Sequence, residues 1–136
     1  SNETINCTTF SDLSQGESVN LEKSLRLNQG IDGHLVSGHV DGVGKIQSIN
    51  KDGDSTRIKI LVEIDLIKYI AKKGSICING VSLTVNSVEG NIFDVNIVPH
   101  TFSVTTLGDL SIESNVNLEI DLIARYVERL NITGKD

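Results

Sequence analysis

Ser75-Ile76-Cys77-Ile78-Asn79-Gly80-Val81-Ser82-Leu83-Thr84-Val85 decides the fold class of this chain. Its apolar residues Ile76, Ile78, Val81, Leu83 and Val85 recur with the period of two that marks a strand with one buried face. The step at Asn79-Gly80 shifts the phase, which predicts a bulge or a tight turn there. Beyond it, Ser82 and Thr84 stand two apart and share one face of the sheet, while Val81, Leu83 and Val85 take the other.

The same alternation recurs on both sides. Arg57 to Ile64 alternates after the turn Lys51-Asp52-Gly53-Asp54, and further strands are predicted at Leu35–Val40, Gly44–Ile49, Ile92–Val98 and Val116–Ile120. Short strands at this spacing predict an all-β fold, a closed antiparallel barrel. Two helices interrupt it. Asp65 is placed to cap Leu66–Ala71, with Lys72 and Lys73 at the negative end and Gly74 as the stop. Asp121 stands in the same role before a helix in which Leu122, Ile123, Tyr126, Val127 and Leu130 form one apolar stripe. That stripe suits a cover over one barrel end, or packing against copies of itself.

A second pattern concerns organisation. Thr8-Thr9-Phe10-Ser11-Asp12-Leu13-Ser14, then Val19-Asn20-Leu21-Glu22, returns as Thr105-Thr106-Leu107-Gly108-Asp109-Leu110-Ser111, then Val116-Asn117-Leu118-Glu119. The offset is constant (105 − 8 = 97) and also carries Thr4 onto Thr101. A period this long is domain-sized. It predicts one complete copy and the last piece of an earlier one: 1–22 as the terminal strand segment of a preceding barrel, 23–30 as a linker, 31–120 as a complete barrel and 121–136 as a C-terminal helix.

Composition narrows the partners. The formal charge of −6 argues against nucleic acid. No apolar run is long enough to span a bilayer. Cys7 and Cys77 offer neither a disulfide framework nor a paired metal motif, which suits a reducing cytoplasm. With no Trp or Met and few aromatics, the core has to be built from Ile, Val and Leu.

Three clusters carry chemistry-bearing side chains. In Gly33-His34-Leu35-Val36-Ser37-Gly38-His39-Val40-Asp41-Gly42, two histidines lie among glycines that permit close backbone approach. Ser82 and Thr84 form the second cluster. Pro99-His100-Thr101, with Thr105-Thr106 and leading to Asp121, forms the third. None makes a nucleophile elbow, a phosphate loop or a dinucleotide turn, and the three histidines lack metal-ligand spacing. Each residue also has a plain structural role open to it. Asp121 could be only a helix cap, His39 a partner for strand carbonyls, Ser82 and Thr84 a solvated strand face, and Lys73 a helix-end charge; His34 reads as structural and Cys77 as a small core hydrophobe.

Residues 33–42, Lys73-Gly-Ser-Ile-Cys-Ile-Asn-Gly-Val-Ser-Leu-Thr-Val85, Ile97-Val-Pro-His-Thr101, Thr105-Thr-Leu-Gly108 and Ala124-Arg-Tyr-Val-Glu-Arg-Leu130 together resemble the carboxy-terminal half of the riboflavin synthase family. The resemblance runs from about Thr4 to Leu130 with the motifs in family order. It implies two homologous six-stranded antiparallel Greek-key β-barrels, the second with a short inserted helix and a C-terminal helix. It implies the dismutation of two molecules of 6,7-dimethyl-8-ribityllumazine into riboflavin and a ribitylaminouracil, without metal or redox cofactor. It implies a homotrimer held by the C-terminal helices, each active site lying between the first barrel of one subunit and the second barrel of its neighbour.

Carried onto matching positions, the resemblance implies that Ser82 and Thr84 hydrogen-bond the lumazine with Lys73 nearby. Val98 and Thr101 line the pocket and meet the ring edge; His39 and Asp121 assist proton movement or hold ribityl hydroxyls. Ser82, His39 and Asp121 are thus the expected catalytic residues, and the chain alone is expected to be inactive. The alternative is a non-catalytic lumazine- or flavin-binding protein of the same fold.

Overall fold

The computed structural model describes residues 1–133. Six antiparallel strands close into a barrel in the order β1-β2-β5-β4-β3-β6. In chain order they are β1 (Gly42–Asp52), β2 (Ser55–Leu61), β3 (Ser75–Ile78), β4 (Val81–Glu89), β5 (Ile92–Ile97) and β6 (Asn115–Ile120). Non-consecutive neighbours at β2-β5 and at β6 with both β1 and β3 make the Greek-key crossings.

Local chemistry sets the hairpins. Asn79 (φ 48°) and Gly80 (φ 83°) both take positive φ, the two-residue turn whose twist matches its strands, and Ile78 pairs with Val81 across it. The phase shift at this dipeptide is therefore a turn. Bulges fall between Ile46 and Ser48 and between Val85 and Ser87, where a twisted sheet has to bend to close. Inward residues fill the interior: Ile46, Ile76, Val85, Val95, Val116 and Leu118 are fully buried around Phe93. Gly44 is required there, because a Cβ would sit 2.7 Å from Ile60 Cγ2 and 2.8 Å from Leu118 Cδ1.

Four expectations change. The predicted strand Leu35–Val40 is absent, and β1 begins only at Gly42. Residues 33–40 instead run as an irregular strap over the outer face of β6, β3 and β4, turned by left-handed Gly33 (φ 96°) and Gly38 (φ 77°). The inserted helix is α2 (Ile64–Ile67), which starts earlier and is shorter than Leu66–Ala71. Glu63, not Asp65, is its N-cap; the chain then tightens through three-residue turns from Tyr69 N to Leu66 O and Ile70 N to Ile67 O. An unforeseen helix, α3 (Pro99–Val104), starts on Pro99, which suits a first helical position, and a 3-10 turn follows at Thr106–Asp109.

The fourth change concerns residues 1–22. They hold α1 (Asn2–Cys7) and a 3-10 turn at Thr9–Asp12, at an offset of 97 from α3 and its turn (99 − 2 and 106 − 9). The joint residues match too: Thr8 has φ −131°, ψ 169° and Thr105 has φ −128°, ψ 165°. Each hydroxyl donates four residues back, Thr8 to Thr4 O and Thr105 to Thr101 O. Val19–Glu22, the counterpart of β6, is not in a strand, since no neighbouring strand pairs with it among the described residues.

The last element is α4 (Leu122–Thr133); positions 134–136 of the expected C-terminal helix lie outside the described residues. Asp121 Oδ1 accepts from Ile123 N, so the expected cap forms. The polar side of α4 meets the barrel: Arg125 pairs with Asp41, and Glu128 pairs with Lys68 and accepts from the Tyr69 hydroxyl. The apolar stripe therefore faces outward, with Ile123, Tyr126 and Val127 each more than half exposed.

Candidate functional site

The barrel closes, but β4 and β5 pair over only part of their length. Pairing between β4 and β5 ends at Val85↔Val95. Beyond it, Val81–Thr84 pair only with β3 and Asn96–Ile97 only with β2. Val85 exchanges main-chain bonds with the β3 side, accepting from Lys73 N and donating to Gly74 O. Ladder bonds alternate along a strand, so Ser82 and Thr84 turn their main-chain N–H and C=O toward the open side. The result is a slot with donors and acceptors on one lip and Val98, half-exposed, at the end of the other.

The register places the side chains. Leu83 and Val85 point inward, so Ser82 and Thr84 point outward together. Thr84 pairs with Ser75, and Ser82 with Cys77, whose other neighbour is Glu119. Asp121 follows Ile120, an inward residue paired with Ile76, and so lies on the same outer face as Ser82 and Thr84. Lys73, left-handed at φ 68°, is exposed and is tied by its N–H to Val85 beside Thr84. Thr101 sits in α3, just past Val98, its carbonyl held by the Thr105 hydroxyl.

The strap brings a different histidine to this face from the one the motif favours. His34 Nδ1 lies 2.7 Å from Ser82 Oγ, with the proton carried by whichever of the two donates. Its Nε2 is buried and has no hydrogen-bond partner among the described residues. His39 is exposed, and its Nδ1 lies 3.1 Å from the Ser37 hydroxyl. Nothing in the local pattern separates the two. Gly33 does: its left-handed turn drops the chain so close to the strand that a Cβ would fall 2.4 Å from Ser82 Oγ.

Glu119 is the residue that sequence reasoning missed. Its carboxylate, 6% exposed, accepts from Ser37 N (2.7 Å), Ser37 Oγ (2.8 Å) and Gly38 N (3.0 Å) and so ties down the strap. The strap in turn covers Cys77, an outward residue buried to 3% exposure. Burial pushes its thiol from 9.0 up to about 11, and the Glu119 carboxylate adds to the rise. Cys77 is thus buried, as expected of a small hydrophobe, but under the strap and not in the barrel interior. Asp41 closes the strap's far end by accepting from Ile120 N at 2.8 Å. Among the described residues, no three His, Cys, Asp or Glu side chains converge as metal ligands, and no helix is long and apolar enough to cross a membrane.

A barrel with an open lip, a covering strap and an orphaned ring nitrogen is suited to a flat heterocycle rich in donors and acceptors. The profile of the lumazine binding domain matches residues 37–121, from the strap's Ser37 to the cap Asp121. This chain belongs to the lumazine-binding domain family. Among curated relatives it is 45% identical over 128 residues to the riboflavin synthase of Photobacterium leiognathi, covering 94% of this chain and 59% of that protein. The Brucella abortus riboflavin synthase is 44% identical over 128 residues, covering 94% and 63%. The chain thus spans about three fifths of the length of these relatives. Crystal structures of LumP share the fold. The complex with 6,7-dimethyl-8-(1'-D-ribityl) lumazine has a TM-score of 0.75 at 32% identity, covering 87% of this chain and 63% of that one. The riboflavin complex has a TM-score of 0.77 at 33% identity, covering 87% and 64%.

Proposed function

We propose that this barrel binds 6,7-dimethyl-8-ribityllumazine in the slot between β4 and β5 and serves as one half of a riboflavin synthase site. The observation that carries the reading is the His34–Ser82 contact beside unpaired strand edges, with a buried Nε2 that lacks a partner among the described residues. Buried polar atoms are almost always satisfied, so an orphan at the rim of an opening marks a place for a ligand atom. Ser82 and Thr84 bond the ring through side chain and main chain. Val98 packs on its face, and Thr101 and Lys73 meet its polar edge. His34 shares a proton with Ser82, while His39 and Asp121 hold ribityl hydroxyls or carry protons from the strap and the cap.

In the reaction, four carbons leave one lumazine and join the other, giving riboflavin and 5-amino-6-ribitylaminouracil. Donor and acceptor are the same compound, so atoms and electrons balance without a redox partner. Most of the acceleration then comes from holding two rings in register, with proton transfer added. A second ring needs a second barrel. The repeat supports one ahead of residue 23: Phe10, Val19 and Leu21 are 56%, 54% and 90% exposed, whereas their counterparts Leu107, Val116 and Leu118 are at most 1% exposed in the complete copy. The outward stripe of α4 supports the homotrimer that would bring barrels of neighbouring subunits together, in the cytoplasm.

The test is incubation with 6,7-dimethyl-8-ribityllumazine while watching for riboflavin. This chain alone is expected to bind without appreciable turnover, and a two-repeat protein carrying it to turn over. Binding without turnover by the two-repeat protein would leave a non-catalytic lumazine- or flavin-binding protein as the function; full turnover by this chain alone would remove the two-barrel site.

A further inference from the structure

The fork where β4 and β5 part is weakly held by the ladder itself. Val85 turns its main-chain N–H and C=O to Gly74 and Lys73, so against Val95 it forms a non-hydrogen-bonded pair, with Cα atoms about 4.5 Å apart. On the closed side the register shifts between Val85 and Ser87, leaving Asn86 as the extra residue of a bulge, and a bulge disrupts the ladder it interrupts. Pairs at the end of a ladder are the first to fray. An opening of fixed length therefore needs a fastening just below it.

Side chains supply one. Ser87 pairs with Asp94 directly below the bulge, and both point outward because Phe93 and Val95 point in. The Ser87 hydroxyl donates to Asp94 Oδ2. The Asp94 side chain is 4% exposed, and its Oδ1, which makes no hydrogen bond among the described residues, faces Arg57 Nη1 at 3.6 Å. Arg57 donates through Nε (3.0 Å) and Nη2 (2.7 Å) to Asp52 Oδ2, which also accepts from Asn96 Nδ2 at 3.0 Å. The series Asp52, Arg57, Asp94, Ser87 thus crosses the outer face from β1 through β2 and β5 to β4, and it ends at the fork.

A buried carboxylate held this way adds little net stability, because its desolvation offsets the attraction. Its place in the sheet gives it a different use. We propose that Ser87 and Asp94, with Arg57 behind them, are positioning residues that fix the depth of the slot and so its selectivity for ring size. The proposal rests on the reading of the slot as a lumazine site. Ser82 to Thr84 give about 10 Å of open edge. Without the latch the fork moves past the bulge and the slot lengthens, which favours a three-ring flavin over a two-ring lumazine.

The test separates slot geometry from binding. Ser87→Ala removes the donor, Ser87→Thr keeps a hydroxyl, and the double variant Ser87→Ala with Asp94→Ala removes both partners without stranding a buried charge. The Hα–Hα NOE between Val85 and Val95 reports the fork in the absence of any ligand. Fluorescence titrations with 6,7-dimethyl-8-ribityllumazine and with riboflavin report selectivity. The parent and Ser87→Thr should show the NOE. Ser87→Ala and the double variant should lose it, and their riboflavin-to-lumazine affinity ratio should rise about tenfold. An NOE that survives in the double variant, or a lost NOE with an unchanged ratio, would overturn the inference. A parent that binds neither compound removes the proposed function instead, and the NOE then decides the latch by itself.

Discussion

Replacing Glu119 by alanine tests whether the strap is held as described. The carboxylate accepts three bonds at 2.7, 2.8 and 3.0 Å from Ser37 and Gly38. Bonds to a charged acceptor contribute about 1.5–3 kcal/mol each when measured singly. Two effects reduce the sum: the buried carboxylate's desolvation cost disappears with it, and the exposed strap can turn its freed donors to water. A net loss of about 2–3 kcal/mol is expected, measured as a lower urea midpoint with the slope unchanged. Glu119→Gln keeps an acceptor for Ser37 but sets an amide N–H against Gly38 N. It should cost about 1–2 kcal/mol, between the alanine variant and the parent. Hydrogen exchange at the Ser37 and Gly38 amides should accelerate more than exchange in β3 or β6, and lumazine affinity should fall about tenfold as His34 loses its mounting. Should Glu119→Ala change stability by less than about 0.5 kcal/mol and leave both amides protected, the strap is held by something else.

Gly33→Ala should damage binding more than folding: at φ 96° with Ser82 Oγ at 2.4 Å the strap must lift, so affinity is expected to drop about tenfold against a stability loss of about 1 kcal/mol, read by titration and urea melts on the same sample. Gly44→Ala should do the reverse, because the added methyl enters the barrel against Ile60 and Leu118, costing about 1–3 kcal/mol by thermal or urea unfolding. A thiol reagent at neutral pH should label Cys7 and spare Cys77, whose folded value of about 11 lies above its ordinary 9.0. A raised folded value favours the protonated native state, so this contribution is complete below pH 9 and lost as pH climbs through 11; Cys77→Ala should flatten the stability profile across that window.

The sequence made the barrel readable because its strands are two-faced. Ile76, Ile78, Val81, Leu83 and Val85 obey a period that no helix could use, and all five are buried or packed on the core. Leu35–Val40 failed as a strand because the same residue types line a strap whose polar groups go to one buried carboxylate rather than to a ladder. Short helices such as α3 carry too few residues for a period to register, yet the 97-residue echo ties α3 to α1. At the site, Ser82 and Thr84 were placed on one face by parity alone, and their pairing with Cys77 and Ser75 keeps that parity. The partnership of His34 with Ser82 joins residues 48 apart through a glycine conformation, and spacing does not encode that. Glu119 was hidden for the same reason. In the sequence it is an ordinary strand glutamate, and only the overlying strap makes it a buried acceptor.

Under the proposed function, a lumazine ring enters the slot between β4 and β5 beneath His34. Titrating the chain with 6,7-dimethyl-8-ribityllumazine while following backbone amide resonances tests it most directly. Saturable shifts at Gly33, His34, Ser82, Thr84, Val98 and Thr101, with Thr9, Asn20 and Thr106 unmoved, are the expected result. Shifts clustered instead around the cleft of about 560 Å³ between Asp41, Glu63, Lys68 and Tyr69, or no saturable shift at any concentration the ligand reaches, would contradict the account.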